Sequence, residues 1–271
     1  MKLPKLENFS VEIDLWSIKP DVYIDLRPFP YGVSEQAYAY SFGGEVMVSP
    51  KEELVSVIED KTKLGIILPN NMIYSKFFLV SQEQDINDIL KDSFGEGAVD
   101  AFYIADIGMD RAYVVNAVDI ASKRIIESQI PQAELSVVRV LPASFAVAHF
   151  LPRSSGTFLV VECRPYEVYL YACAVIEGTV VTLSSDVVKT NVKESLREKI
   201  IFMNHKAGRF FKTDLISQVF VVSGERSVLP VEKITEIVSS SLKNIDKVEI
   251  KVVEEPFSAV KGAWLFEDEK K

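Results

Sequence analysis

Hydrophobic and polar positions along the chain alternate between two periods, and the change of period divides it into elements. "DVYIDL" (21–26) is a short apolar run of strand type. "GVSEQAYAYS" (32–41) alternates with the period of two that a strand requires. "FGG" (42–44) marks a hairpin turn, because glycine accepts positive φ, and "EVMVS" (45–49) returns as a third strand. The period then changes. "SPKEELVSVIED" (49–60) opens like a helix, with Ser49 as N-cap, Pro50 in the first position and Glu52 three residues after the cap. "KLGIILP" (63–69) predicts a buried strand.

The same series begins again near residue 157. "TFLVVEC" (157–163) predicts a strand, and "EVYLYACAVIE" (167–177) a second one that is apolar on both faces and so covered on both sides. Gly178 turns the chain into "TVVTLSS" (179–185). A long helix is expected over 191–211, with Leu196, Ile200 and Met203 at helical spacing. "QVFVVSG" (218–224) is the next buried strand. Both halves therefore read β-β-β-α-β, and both continue alike. The first has a helix at 119–130, a strand at 134–141 and a helix at 142–151. The second has a helix at 230–242, a strand at 247–253 and a terminal helix near 257–266, ending in a charged tail, "EDEKK", expected to fray. The first half carries an insert, about 70–118, that reads strand, helix, strand, strand. Residues 1–20 read as an arm or an extra edge strand. The expected organisation is an arm (1–20), a first lobe (21–152) and a second lobe (153–271): an α/β chain made of a duplicated RNase H-like βββαβαβα unit, with a small α+β insert in the first half.

The duplication carries a motif. "VYIDLRPFPYGV" (22–33) and "VVECRPYEVYLY" (160–171) each give an apolar strand, an acid, one residue, then Arg-Pro-aromatic. Composition narrows what this motif can serve. A net charge of −9, with no cluster of Lys and Arg, argues against a nucleic-acid footprint or a polybasic membrane contact. Two cysteines, Cys163 and Cys173, fall too far apart along a hairpin to bridge. With His149 and His205 as the only histidines there is no zinc constellation, and His149 in "FAVAHFLP" reads as a core residue. No signal peptide and no apolar run of spanning length is seen, which points to a cytosolic protein without direct membrane insertion.

A duplicated βββαβαβα unit with an insert in its first half resembles the actin-like ATPase fold of actin, sugar kinases and heat-shock chaperone ATPases. Within that superfamily the chain is similar to PilM-type pilus assembly proteins and to the cytoplasmic part of GspL of type II secretion. The resembling stretches run from about 21 to 266. "VYIDLRPFPYGV" and "FLVVECRPYEVYLY" stand where the family has its two phosphate loops. "VFVVSGERSVLP" stands at its adenosine-side Ser-Gly-Gly turn, and "PFSAVKGAWLF" resembles its closing helix, with Gly262 at the position of a family glycine. The resemblance implies a scaffold at the cytoplasmic face of the inner membrane. Its expected partners are the cytoplasmic tail of a PilN-like membrane protein and other pilus or secretion assembly proteins. Family members dock such a tail in a groove between the insert and the main body, and the insert's "SKFFLV" run and Tyr74 are candidates for lining it.

Family members that bind ATP use Asp-x-Gly at both loops, so that backbone N–H groups approach phosphate while the aspartates order metal and water. Here Asp25 and Glu162 keep an acid, but Arg27 and Arg164 replace both glycines, and the next residue is proline, which has no N–H to give. At the adenosine-side turn, Ser223-Gly224 is followed by Glu225. Glu198 matches the glutamate that the family's helix can point toward ribose; on a polar helix face it also reads as solvated. Three readings of the arginines stay open. They fill a lost nucleotide site, Arg27 pairing with Glu162 and Arg164 with Asp25; they grip an anion directly, so that ATP with Mg²⁺ still binds; or Arg-Pro simply builds an exposed turn. The first implies no cofactor and no catalytic residue. The second implies a nucleotide-dependent ATPase or switch. A third class, a filament-forming FtsA-like protein, shares the fold.

Overall fold

The structure, a computed structural model, describes residues 18–31, 35–50, 53–54, 58, 62–94, 98–118, 124, 128, 136–152, 156–176, 178–189, 192–211, 216–224, 227–243, 245 and 248–269. The chain divides into two compact units. One comprises Met1–Ala146 with Ala259–Lys271, the other Val147–Ser258. By order along the chain the last helix closes the second repeat, yet by packing it belongs to the first unit.

The first unit holds a five-stranded sheet of β1 (Val22–Tyr31), β2 (Glu35–Phe42), β3 (Glu45–Pro50), β4 (Lys63–Leu68) and β8 (Ser136–Pro142), in the order β3-β2-β1-β4-β8. β1 and β2 pair antiparallel, as do β2 and β3, while β4 lies parallel to β1 and β8 parallel to β4. One face is a continuous apolar surface of Val22, Ile24, Leu64, Ile66 and Val140 over Leu54 and Ile58. Of the expected helix at 49–60, Glu53 and Leu54 are helical and most of the remainder lies outside the described residues; Ser49 and Pro50 end strand β3 instead of opening the helix. The strand wins because both residues still pair with β2, Ser49 with Tyr38 and Pro50 with Ala37. The helix expected at 119–130 is described only at Arg124 and Ser128, both helical, and the arm up to residue 17 lies outside the described residues.

The insert forms as read. β5 (Tyr74–Ser81), β6 (Ala98–Ile107) and β7 (Asp110–Val118) make a sheet in the order β5-β7-β6, and helix α1 (Ile86–Phe94) packs Ile86 and Leu90 on Val80 and Val115. Helices α2 (Ala143–Phe150) and α5 (Ser258–Glu269) follow β8 and close the chain, respectively.

The second unit repeats the plan. β9 (Gly156–Cys163), β10 (Val168–Ile176), β11 (Thr179–Val188), β12 (Gln218–Ser223) and β13 (Glu249–Glu254) run in the order β11-β10-β9-β12-β13, two antiparallel and two parallel pairings as in the first. Helices α3 (Val192–Phe211) and α4 (Val231–Ser241) place Leu196, Ile200, Met203, Ile234 and Val238 on Leu159, Val161, Leu170 and Val221. β10 is buried on both faces over its first seven residues, as its two-sided apolar pattern requires. Among the described residues, no helix is long and apolar enough to cross a membrane.

Candidate functional site

Each unit carries one copy of the Arg-Pro motif, and the two copies are built differently. In the first, β1 does not turn at Arg27-Pro28. It continues to Tyr31, and its register against β2 slips between Asp25, opposite Ala39, and Phe29, opposite Ala37. Leu26, Arg27 and Pro28 thus face the single residue Tyr38 in a bulge. The cause is chemical: Pro28 cannot donate to the ladder, and sheets accommodate proline at bulges. This corrects the expected turn at this position.

At that bulge Asp25 and Arg27, two apart on a strand, lie on one face. The Arg27 backbone N–H donates to Asp25 Oδ1 at 3.0 Å. Its Nε donates to the same oxygen at 2.9 Å and its terminal nitrogen to Oδ2 at 2.8 Å. Both side chains are essentially inaccessible. The carboxylate therefore holds the guanidinium as a two-pronged fork and also takes up the amide that a glycine loop would turn toward phosphate.

In the second unit the chain does turn. The Arg164 N–H donates to the Glu167 carbonyl at 3.0 Å, closing β9 onto β10 around Pro165 and Tyr166. The Arg164 carbonyl accepts from Val228 N–H at 3.0 Å, tying the turn to the segment after β12. Proline suits this place because its φ is already set for the second turn position. Arg164 itself is buried and lies 3.5 Å from Glu162 Oε1, while the Tyr171 hydroxyl donates to Oε2 at 2.8 Å. Tyr171 stacks on Tyr169, whose hydroxyl donates to Glu167. The turn reading thus holds here in backbone, with Tyr166 exposed at the tip, although the arginine is interior. The pairs described lie within each copy of the motif, Arg27 with Asp25 and Arg164 with Glu162.

The remaining site positions separate. Gly224 follows β12, and a Cβ there would stand 2.6 Å from Cβ of Pro256, so close packing alone requires glycine at this turn. Glu225 lies outside the described residues. Glu198 is exposed on α3. Gly262 and Trp264 are buried in α5, and His149 is buried in α2. In the insert, Tyr74 and Leu79 on edge strand β5 are about half exposed. Among the described residues no group of His, Cys, Asp or Glu is arranged to hold a metal ion.

Sequence reasoning missed a polar cluster on the first sheet. Tyr23 of β1, Gly65 of β4 and Arg139 of β8 form one register row. Glu267 of α5 sits over it, accepting from the Tyr23 hydroxyl at 2.7 Å and lying 3.1 Å from Arg139 Nε. Burial, reinforced by the Glu267 charge, pushes the Tyr23 phenol well above its ordinary value. A lone arginine in the apolar run "SVVRVL" was the available signal, since a buried charge needs a partner.

Both thiols are free and buried. Burial pushes Cys173 up to about 12 from 9.0, and burial with the Glu162 charge raises Cys163 as well. The folded state therefore holds protons that the unfolded chain loses above pH 9. Stability from these groups is fully present below pH 9 and is expected to fall as pH climbs from 9 toward 12. A soluble disulfide reagent at pH 8 should titrate neither cysteine until denaturant is added; fast labelling in the native protein would contradict the burial.

No family model matches the sequence, and no curated protein matches it. Solved structures do. A chain of a PilM-PilN type IV pilus biogenesis complex matches with a TM-score of 0.55 at 11% identity, covering 92% of this chain and 98% of that one. The cytoplasmic domain of EpsL, an inner-membrane component of the type II secretion system of Vibrio cholerae, matches with a TM-score of 0.49 at 13% identity, over 92% and 95% of the two chains. EutJ, an ethanolamine utilization protein of Carboxydothermus hydrogenoformans, matches at 0.40 and 10%, over 92% and 90%. At such identities the likeness is one of fold. The fold is of the actin-like ATPase type, and the repeated strand order agrees with it.

Proposed function

We propose that this protein is an actin-fold scaffold of a type IV pilus or type II secretion-like machine, degenerate in nucleotide binding and working by protein–protein contact. The observation that carries the loss of nucleotide is the fate of two amides. Arg27 N–H is spent on Asp25 and Arg164 N–H on the Glu167 carbonyl, and each is followed by a proline with no N–H. A backbone phosphate cradle needs successive donors pointing outward. The rival reading, an arginine grip on ATP with Mg²⁺, is disfavoured by the fork of Arg27, already bound through two nitrogens to Asp25. The scaffold role rests on fold likeness to a chain of a PilM-PilN complex. The partner proposed here is the cytoplasmic tail of a PilN-like inner-membrane protein, which would keep the scaffold in the cytoplasm at the membrane face. The insert, with Tyr74 and Leu79 exposed on its edge strand, is the proposed place for that peptide.

Two measurements on the full chain test this. A site with Kd near 10 µM would raise stability by about 2.7 kcal/mol at about 1 mM ligand. Thermal unfolding with 1 mM Mg-ATP is expected to show no such shift, and a rise of several degrees establishes the nucleotide-dependent reading instead. A pull-down from native membranes is expected to recover an inner-membrane assembly protein; recovery of none defeats the scaffold role. Nucleotide-dependent light scattering would point to a filament.

A further inference from the structure

The closing helix α5 is joined by sequence to the second unit and packed on the first, and the chain passes between units at 146/147 and again at 258/259. Buried polar contacts and ring contacts hold it in place. Glu267, in the charged tail expected to fray, is buried at 5% exposure. It is met by Arg139, also buried, and by the Tyr23 hydroxyl. Tyr23 reaches it because Gly65, directly beside it on β4, leaves room for the ring to lie across the strand. The Tyr23 ring also meets Trp264 edge to face at 5.3 Å, and Phe266 meets Phe145 at 4.9 Å. At the helix's outer side Lys19 lies over Trp264 and pairs with Asp268.

The helix itself is poorly made to stand alone. It has 12 residues with Gly262 in its interior, a length and composition that are marginal for an isolated helix. Among the described residues the Trp264 indole N–H and the Ser258 hydroxyl are buried without a hydrogen-bond partner. It pairs with no strand, so its departure breaks no sheet ladder. Among the described residues the second unit shows no counterpart of the socket: the matching row there is Val160, Phe220 and Lys251, with Lys251 on an edge strand over the Phe220 ring. The arrangement combines weak intrinsic helicity with a small set of specific contacts, so the helix at the chain's end depends on those contacts to stay in place.

We infer that α5 is a strap, locked onto the first unit by Glu267 in the Tyr23–Arg139 socket and able to release while both sheets stay folded. The inference is independent of the proposed partner and of nucleotide.

Hydrogen exchange on the full chain, resolved by peptide, tests it. In Glu267→Gln the amides of α5 are expected to exchange at least tenfold faster than in the parent. Those of β9, β12 and β4 should stay within about twofold. Tyr23→Phe, which removes one hydrogen bond and no charge, should show the same pattern at smaller size and serves if Glu267→Gln does not fold. Adding Arg139→Met to Glu267→Gln removes the stranded cation and is expected to recover protection of α5. A uniform rise across α5 and all sheet strands, or no change in α5, overturns the strap; failure of the double variant to recover protection shows that the charge pair is not the lock.

Discussion

Replacing Asp25 by alanine is expected to lower the free energy of unfolding by about 3–5 kcal/mol, the cost of stranding one charge of a buried pair. The size follows from geometry. Asp25 takes three hydrogen bonds from Arg27, and neither side chain reaches solvent. Alanine leaves a buried guanidinium and a buried backbone N–H without that carboxylate. Asp25→Leu combined with Arg27→Met removes both charges and keeps volume, and should recover most of the loss. Urea unfolding followed by tryptophan fluorescence reads both variants. A loss under 1 kcal/mol for Asp25→Ala would mean that Arg27 does not depend on its own strand's acid. The corresponding change in the other unit, Glu162→Ala, also leaves Tyr171 unbonded at that oxygen, so its effect spreads over two side chains. The same geometry bears on nucleotide. Arg27→Gly alone is not expected to restore ATP binding, since Pro28 still offers no donor.

The duplication was legible because both signals it rests on are local. Period two and period 3.6 are set by which positions face a core, and the paired acid-x-Arg-Pro motif marks the same point in both strings. Every expected strand of both sheets and of the insert is present. The difference between the two copies of the motif was not legible. A bulge and a turn both accommodate proline, and the residues around Arg27 and Arg164 are too alike to tell which way the chain goes. It is the partner strand that decides, through register. Glu267 departs from the expected frayed end for a related reason. Glu267 in "FEDEKK" has the composition of a solvated end, and what buries it is a tyrosine 244 residues earlier and an arginine on an edge strand. Long-range polar pairing leaves no period in the sequence. Gly65 does leave a sign in the sequence: a glycine inside the apolar run "KLGIILP" is a poor strand residue unless something presses close.

That closeness sets the second large effect. A Cβ on Gly65 would stand 2.2, 2.4 and 2.8 Å from atoms of the Tyr23 ring, well inside contact. The ring has little freedom to retreat, because its hydroxyl is bonded to Glu267 and its edge meets Trp264. Gly65→Ala therefore forces either overpacking, about 1–3 kcal/mol, or withdrawal of the hydroxyl from a charged acceptor, about 1.5–3 kcal/mol. A loss of about 3 kcal/mol or more is expected where both contribute. The second unit solves the same row in reverse, with Val160 where the first has Tyr23 and Phe220 where it has Gly65. Tyr23→Val should accordingly absorb the clash. In that background Gly65→Ala is expected to cost less than 1 kcal/mol beyond the tyrosine's own loss, and the coupling in a double-mutant cycle measures the contact directly. Equal cost of Gly65→Ala with and without the ring would show that backbone conformation, and not the tyrosine, holds glycine at this position.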